Sequence, residues 1–276
     1  MTEFLTLDAG TIAYEVSGVG PLVVLAPGMG NSRDAYRSVA PQLVQAGYRV
    51  ALVDLRGAGE SSAVWPSYTR TDIAGDLLAV IRHLGGPAVL VGHSISGGAA
   101  TIAAAQAPEL ITGIVELAPF TRKQAVKLGD LTHADYRKGA IRLAGTMMGS
   151  LSSWKKYLDL AYPGRKPADW TDRLAAIDAM LREPGRMKAL QGMMKSTPAD
   201  AAAQLGNVPC PALIVEGSLD PDWADPRAEG AAIVAEMPAG RARLEMVEGA
   251  GHYPHVQVPD QVASLILAFL RTNVRG

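Results

Sequence analysis

The sequence predicts an α/β fold with a doubly wound, mostly parallel β-sheet that is interrupted by an all-helical insertion. Three observations predict it. Short, almost wholly apolar runs recur in the first 119 residues and alternate with amphipathic helical segments. Residues 120–205 contain only helix-like segments broken by Gly and Pro. The strand–helix alternation then returns in residues 206–276, and such alternation is typical of parallel sheets covered on both faces.

The N-terminal elements read as a hairpin followed by a buried strand, a helix and a second buried strand. Phe4–Asp8 and Thr11–Val16 alternate around an Ala-Gly turn, as expected of a hairpin. Pro21–Ala26 and Arg49–Asp54 are apolar on both faces, so each predicts a buried strand. Between them, Arg33–Gln45 has helical spacing and ends before a glycine.

The next elements repeat the strand–helix unit. Thr71–Leu84 carries its apolar residues on one side and predicts an amphipathic helix that ends at Gly85-Gly86. Ala88–Val91 predicts a third buried strand, followed by a helix of small residues through Ala107, and Ile111–Leu117 predicts a fourth strand.

The rest of the chain divides into the insertion and a second stretch of core. After residue 205 the sequence predicts two more strands, each followed by a helix: Ala212–Glu216, Pro226–Glu236, Ala242–Val247 and Asp260–Arg271. We therefore expect a core domain of residues 1–119 and 206–276 and a helical cap, or lid, of residues 120–205.

Composition excludes several classes of protein. Among 276 residues, 48% are hydrophobic and 19% charged, which is normal for a packed domain. Lys and Arg total 26 against 27 Asp and Glu, without a cluster that would bind nucleic acid. Cys210 is the single cysteine, so no intramolecular disulfide is possible. The N-terminal residues lack a secretory pattern and no apolar run would span a membrane, so a cytoplasmic protein is expected.

The strongest local signal is the segment VLVGHSISGG, which contains Ser94. A buried strand runs directly into this serine, and a helix of small residues follows it. A serine on such a sharp strand-to-helix turn presents its hydroxyl above the edge of the sheet. The same position would also suit a simple helix N-cap.

The order of three segments resembles the α/β-hydrolase superfamily. Its nucleophile motif reads G-x-S-x-G, and this chain departs from it by carrying Ser96 in place of the last glycine. In that family an acid and then a histidine follow the serine along the chain, and here LIVEGSLD supplies Asp220 and LEMVEGAGH supplies His252. The segment after the histidine also resembles the family pattern, with Gln257 replacing Glu. The resemblance covers nearly the whole chain except the insertion.

The resemblance implies a Ser–His–Asp triad. Ser94 would be the nucleophile, His252 the general base and Asp220 the residue that orients the imidazole. The acid has rivals, because Asp222 and Asp225 lie close to Asp220 and Glu116 ends a strand from which some relatives take their acid. Asp220 is favoured because the G-x-x-D-P spacing from Gly217 to Pro221 resembles the commonest arrangement in the family. Asp222 or Asp225 would also suit the N-cap of the following helix.

An oxyanion hole requires two backbone N–H donors near the nucleophile. Ile95, directly after Ser94, is expected to supply one. The loop Pro27-Gly28-Met29-Gly30 is expected to supply the other from Met29, with Pro27 standing where relatives carry His. No metal or dinucleotide motif is recognisable, so no cofactor is predicted.

The predicted function is a serine hydrolase that cleaves an ester, thioester or lactone of a small, largely apolar substrate. Alternatives that keep the triad are a C–C bond hydrolase and a perhydrolase, and a ligand-binding or signalling protein with slow turnover is a third. Epoxide and haloalkane hydrolysis in relatives uses aspartate where this chain has Ser94, so neither reaction is expected here. Methionines in the insertion could enclose an apolar substrate or pack the cap, and an exposed cap helix could mediate a homodimer.

Overall fold

The computed structural model of the protein describes residues 1–123, 128–164 and 166–273. The described residues form one eight-stranded sheet flanked by helices, which confirms the predicted fold class. The strands are β1 (Glu3–Leu7), β2 (Gly10–Ser17), β3 (Leu22–Ala26), β4 (Arg49–Val53), β5 (Ala88–His93), β6 (Ile111–Leu117), β7 (Ala212–Gly217) and β8 (Ala242–Val247).

The strand order is β1-β2-β4-β3-β5-β6-β7-β8. The β1–β2 hairpin is antiparallel and pairs antiparallel with β4 at one edge, and the other six strands are parallel to one another. Parallel strands end at the same edge of the sheet, so the loops after β3, β5, β6, β7 and β8 meet there. Ligand sites in open α/β sheets lie outside this carboxyl edge.

The helices cover both faces of the sheet and fill the interval between β6 and β7. They are α1 (Ala40–Gln45), α2 (Arg70–His83), α3 (Ile95–Gln106), α4 (Ala134–Met147), α5 (Leu151–Ala161), α6 (Trp170–Arg182), α7 (Arg186–Lys195), α8 (Ala199–Ala202), α9 (Pro226–Glu236), α10 (Pro254–Gln257) and α11 (Pro259–Asn273). Short 3₁₀ turns occupy Arg33–Tyr36, Leu128–Thr132 and Leu205–Asn207.

The sheet is buried on both faces because its parallel strands carry apolar side chains at successive positions. In β3, Val24 joins the core under α2 and α3, whereas Val23 and Leu25 join the core under α1 and α11. This explains why the parallel strands read as continuous apolar runs rather than as alternating ones.

The prediction of one continuous helix over Arg33–Gln45 is wrong. The structure has a 3₁₀ turn at Arg33–Tyr36 and a separate helix that begins at Ala40. Pro41 lies in the first turn of α1, where its missing N–H costs nothing. Within one continuous helix the same proline would clash with the carbonyl of Arg37.

Between β6 and β7 the described residues form α4 to α8 and no strand, in the range where only helices were predicted. Trp154 and Tyr157 of α5 are buried and stack on each other with ring centroids 5.2 Å apart. None of the helices in the described ranges has the length and apolarity needed to cross a membrane.

Candidate active site

Ser94 occupies the turn between β5 and α3 in a strained conformation. Its φ of 55° and ψ of −117° place a non-glycine residue in a region that costs about 1–3 kcal/mol. Two backbone hydrogen bonds hold the turn: Ser94 N–H donates to Leu117 O (2.9 Å) and Phe120 N–H donates to Ser94 O (3.2 Å). The end of β6 therefore fixes the orientation of Ser94.

The small residues around Ser94 are required by close backbone contacts. A Cβ atom on Gly92 would lie 2.2 Å from the Ser96 carbonyl oxygen, and one on Gly97 would lie 2.7 Å from Cβ of Pro119. Ser96 itself is accommodated because its hydroxyl donates to the Pro27 carbonyl oxygen at 2.6 Å. Two of the departures from the family pattern, Ser96 and Pro27, are thus in direct contact.

His252 and Asp220 form a buried pair. The His252 Nδ1 to Asp220 Oδ2 distance is 2.7 Å, and both side chains are at most 2% exposed. The side chain of His252 makes no other hydrogen bond to the described residues, and the Ser94 hydroxyl makes none. The Phe120 ring packs against the imidazole in an edge-type arrangement, with centroids 5.9 Å apart and planes at 73°. Phe120 also lines the cavity above Ser94. The missing hydrogen bond between Ser94 and His252 does not exclude a catalytic pair, because hydrogen bonds between catalytic groups are often long before substrate binds.

Three hydrogen bonds hold the loop that carries His252 in place. His252 N–H donates to Ala161 O (3.0 Å), and the His252 carbonyl oxygen accepts from Nε2 of His93 (2.8 Å). Gln257 replaces the family glutamate and accepts from Gly251 N–H (2.8 Å) through its side-chain oxygen. The residue that precedes Ser94 is therefore tied directly to the backbone of His252.

Asp222 is a second carboxylate at His252. Its Oδ2 lies 3.4 Å from His252 Nδ1 and accepts a hydrogen bond from the Tyr157 hydroxyl at 2.6 Å. The Asp222 N–H donates to Asp220 Oδ1 (2.9 Å), so the turn after β7 folds both carboxylates toward the imidazole. Tyr157 was not predicted as a site residue, since nothing in the sequence of α5 indicates this contact.

These carboxylates control the pKa of His252. Burial alone would lower the pKa, but the charges of Asp220 and Asp222 and the hydrogen bond to Asp220 outweigh it and raise the pKa to about 9. Burial raises the pKa of Asp222 to about 6, against the opposing effect of the His252 cation. The arrangement stabilises an imidazolium, which is the form that a general base acquires during attack.

The other candidate acids do not contact His252. Asp225 caps α9 by accepting from Ala228 N–H (2.9 Å). Glu116 is fully buried and accepts from the hydroxyls of Thr101 and Thr121. Burial raises the pKa of Glu116 to about 7. Of the four acids considered, the structure brings only Asp220 and Asp222 to the imidazole.

Met29 and Ile95 are the residues expected to supply the backbone N–H donors of the oxyanion hole. Both residues line the same cavity as Ser94, and neither N–H donates to another group in the described part of the chain. A Cβ atom on Gly28 would lie 3.1 Å from Cβ of Ser94, so the loop after β3 approaches the serine closely. Two free donors beside a serine can stabilise negative charge on a substrate oxygen.

A cavity of about 340 Å³ opens above Ser94. Its lining comes from the loops at the sheet edge, the first residues of α2 and α3, helices α4 and α7 and the approach to α8: Met29, Arg70, Ser94, Ile95, Phe120, Leu143, Ala144, Met147, Met193, Met194, Ser196 and Pro198. Among the insertion methionines, Met147, Met193 and Met194 line the cavity, while Met148 is exposed and Met180 and Met187 pack against the core. His255 is fully buried and is not among the residues that line this cavity.

A group that could hold a metal ion coincides with the acid–histidine pair. Ligand atoms of Asp220, Asp222 and His252 lie within 4.8 Å of one another. The short Asp220–His252 hydrogen bond already uses Nδ1, the ring nitrogen that faces the carboxylates. These residues therefore fit an acid–base relay better than a metal site.

Comparison with known proteins gives a consistent result. Residues 23–265 match the model of the family described as "Alpha/beta hydrolase family". A pimeloyl-[acyl-carrier protein] methyl ester esterase from Chromobacterium violaceum is 32% identical over 210 residues, which cover 75% of this chain and 78% of the relative. The solved structure of an esterase from Exiguobacterium antarcticum superposes with a TM-score of 0.81 at 20% identity, covering 98% of this chain and 100% of that one, and shows the same fold.

Other curated relatives are much longer than the matched region. Polyketide synthase ThaQ from Burkholderia thailandensis is 28% identical over 287 residues, which are 99% of this chain but 13% of the relative. Epoxide hydrolase B from Mycobacterium tuberculosis is 32% identical over 168 residues, which are 59% of this chain and 42% of the relative. The chain thus spans less than half the length of these two relatives.

Proposed function

The chain belongs to the alpha/beta hydrolase family, and from this premise we propose that it hydrolyses an ester, thioester or lactone of a small molecule through an acyl-enzyme. The observation that carries the proposal is the buried 2.7 Å contact between His252 and Asp220, beside a serine on a strained turn. Residues strained at a cavity and imidazoles paired with carboxylates are typical of catalytic sites.

In the proposed reaction, Ser94 Oγ attacks the substrate carbonyl carbon. His252 Nε2 takes the hydroxyl proton as the new C–O bond forms. The tetrahedral intermediate then collapses, the bond to the leaving group breaks, and His252 donates the proton to that group. Water attacks the acyl-enzyme by the same route and releases the acid product and free Ser94. Asp220 stabilises the imidazolium in both steps.

The negative charge that develops on the carbonyl oxygen needs donors at a fixed position. We assign this role to the backbone N–H groups of Met29 and Ile95, which line the cavity beside Ser94. Ile95 is also the first residue of α3, and the positive end of that helix favours an anion at the same place. Loss of one such donor typically costs a hundredfold or more in rate.

We further propose that residues 120–205 form a cap domain over a core of residues 1–119 and 206–276. Helices α4 and α7 supply apolar walls of the cavity through Leu143, Met147, Met193 and Met194. An apolar wall with a few polar groups excludes water from the reacting carbonyl and binds aliphatic parts of a substrate.

The proposal is tested by intact mass after incubation with a fluorophosphonate. We expect a single adduct on Ser94 of the wild type and none on Ser94→Ala, which should also lose ester hydrolysis by about a thousandfold or more. Ser264→Ala serves as the matched control, because this hydroxyl lies on the exposed face of α11. A folded wild-type protein whose Ser94 stays unlabelled even by a small probe would contradict the hydrolase and favour a binding protein on the same scaffold.

A further inference from the structure

Arg70 is a buried arginine in the wall of the cavity that contains Ser94. It is the first residue of α2, and the whole residue is 4% exposed. Its side chain passes over the start of α3, where a Cβ atom on Gly98 would lie 2.8 Å from Arg70 Cδ. The glycine after the nucleophile turn thus makes room for the guanidinium beside the cavity.

Two of the three guanidinium nitrogens of Arg70, Nε and Nη1, donate hydrogen bonds to the described residues. Nε donates to the Phe120 carbonyl oxygen (2.9 Å), and Nη1 donates to the carbonyl oxygen (3.1 Å) and hydroxyl (2.9 Å) of Ser196. All three acceptors are uncharged. Nη2, which carries two further N–H donors, donates to none of the described residues.

The charge of Arg70 has no counterion within ion-pair distance in the described parts of the chain. Asp200 is the acid whose charge acts on it, but the Asp200 carboxylate is bound by the N–H and hydroxyl of Thr71. Burial lowers the pKa of Arg70 to about 10, so the side chain remains a cation at neutral pH. A desolvated cation without a partner is costly for a folded protein.

Other buried arginines in this chain are neutralised. Arg56 is 8% exposed and makes two hydrogen bonds of 2.7 Å to the carboxylate of Asp76. Arg186 is also 8% exposed and pairs with Glu183 at 3.1 Å. Arg70 departs from this pattern, and it lies in the wall of the cavity that contains Ser94.

We propose that Arg70 binds a carboxylate of the substrate, so that the preferred substrate is an ester, thioester or lactone bearing a free carboxylate a few bonds from the reacting carbonyl. The planar guanidinium matches a carboxylate, and desolvation strengthens that contact. The Ser196 hydroxyl, which accepts from Arg70, can donate its own proton to the same carboxylate. This inference rests on the proposed function and narrows its substrate class from a largely apolar molecule to an anionic one with an aliphatic body.

A purely structural role for Arg70 would be to fasten the segment after α7 to the core. The test therefore compares matched substrates: monomethyl esters of linear dicarboxylic acids with four to seven carbons, and the same esters with the free carboxylate replaced by a carboxamide. Wild type, Arg70→Met, Arg70→Lys and Arg186→Met are assayed for kcat/KM on both. Arg186 is the matched control because its Nη1 fastens the start of α7 to the Ser61 carbonyl oxygen (2.5 Å) and it does not line the cavity.

We expect the wild type to prefer the carboxylate ester by about tenfold or more at the best chain length. Arg70→Met should abolish this preference, Arg70→Lys should keep part of it, and Arg186→Met should keep all of it even if the protein unfolds more easily. Equal kcat/KM on the two esters in the wild type, or an equal loss on both in Arg70→Met, would overturn the proposal.

A binding measurement separates this inference from the hydrolase itself. Calorimetry on Ser94→Ala compares free dicarboxylates with their half-amides and requires no turnover. Preference for the dicarboxylate that disappears in Ser94→Ala/Arg70→Met supports the arginine site even if no ester is cleaved. Absence of that preference overturns it even if Ser94 reacts with the fluorophosphonate and the hydrolase proposal stands.

Discussion

Two histidine environments lie side by side at the carboxyl edge of the sheet. The ring of His93 is 4.9 Å from that of His252 on one side and 4.6 Å from that of His255 on the other. His252 faces two carboxylates, whereas the ring nitrogens of His255 and Nδ1 of His93 are buried without a hydrogen-bond partner in the described structure. All three residues are at most 2% exposed.

The difference in protonation follows from the partners and not from the depth of burial. Burial lowers the pKa of His255 to about 3, assisted by the positive charges of Arg173 and His252. Burial also lowers the pKa of His93 well below its usual value. The same burial acts on His252, but Asp220 and Asp222 reverse its effect. Of the two neighbours of His93, His252 therefore binds a proton at neutral pH and His255 does not.

Removing the carboxylate that defines the His252 environment should have the largest effect. We expect Asp220→Asn to lower kcat/KM by about 10⁴-fold, because the imidazolium loses its stabilising charge and the tautomer changes. Asp222→Asn should cost less than about tenfold, since Asp222 lies 3.4 Å from Nδ1 and leaves the 2.7 Å pair intact. Steady-state kinetics on both variants measures this. Equal losses would mean that the two acids share the role.

Removing the unpaired imidazole of His255 should change the acid stability of the fold. Below a pH of about 6.5 the unfolded chain takes up a proton on this residue that the folded chain refuses until the pH approaches 3. The free energy of unfolding therefore falls as the pH falls through this window, by about 1.4 kcal/mol per pH unit for each such histidine.

The variant His255→Phe keeps a ring stacked on Tyr36. We expect its free energy of unfolding to fall less steeply as the pH falls, by the slope that corresponds to about one proton. Urea unfolding between pH 4 and 6.5 measures the two slopes, and exposed His133→Gln is the control. Parallel curves for wild type and His255→Phe would show that His255 is not held neutral.

The smallest expected effect concerns the pH profile of the reaction. The general base must be neutral to act, so kcat/KM should rise with pH through the raised pKa of His252, above the usual value of 6.5. Asp222→Asn removes one of the charges that raise this pKa and should move the rise to lower pH. Asp225→Asn, which changes a helix cap, should leave the profile in place. A wild-type rise near 6.5 would contradict the assigned environment.

The sequence alone predicts the strands of the sheet and the position of Ser94, Asp220 and His252 in the loops that follow them. Buried parallel strands are continuous apolar runs, and the residues that follow them must meet at one edge of the sheet. The predicted strand Ile111–Leu117 and helix Pro226–Glu236 have the bounds found in the structure. The catalytic roles of the three residues remain predictions.

The contacts that could not be predicted depend on side chains meeting across separate elements. Asp222 reaches His252 only because the turn after β7 folds back through its own N–H, and Tyr157 reaches Asp222 from a helix 65 residues earlier. Arg70 begins an ordinary amphipathic helix, and its place in the cavity depends on its contact with Ser196, which follows α7. Periodicity gives the buried face of each helix but not the partner that covers it.

The hydrogen bond between Ser96 and the Pro27 carbonyl oxygen has a consequence for how relatives of this chain can be found. A comparison that scores each position independently counts two mismatches here, one in the nucleophile motif and one in the loop after β3. In the folded chain they are the two ends of a single 2.6 Å contact. A search pattern that allows Ser at the first position together with Pro at the second should therefore retrieve sequences that the strict G-x-S-x-G pattern rejects.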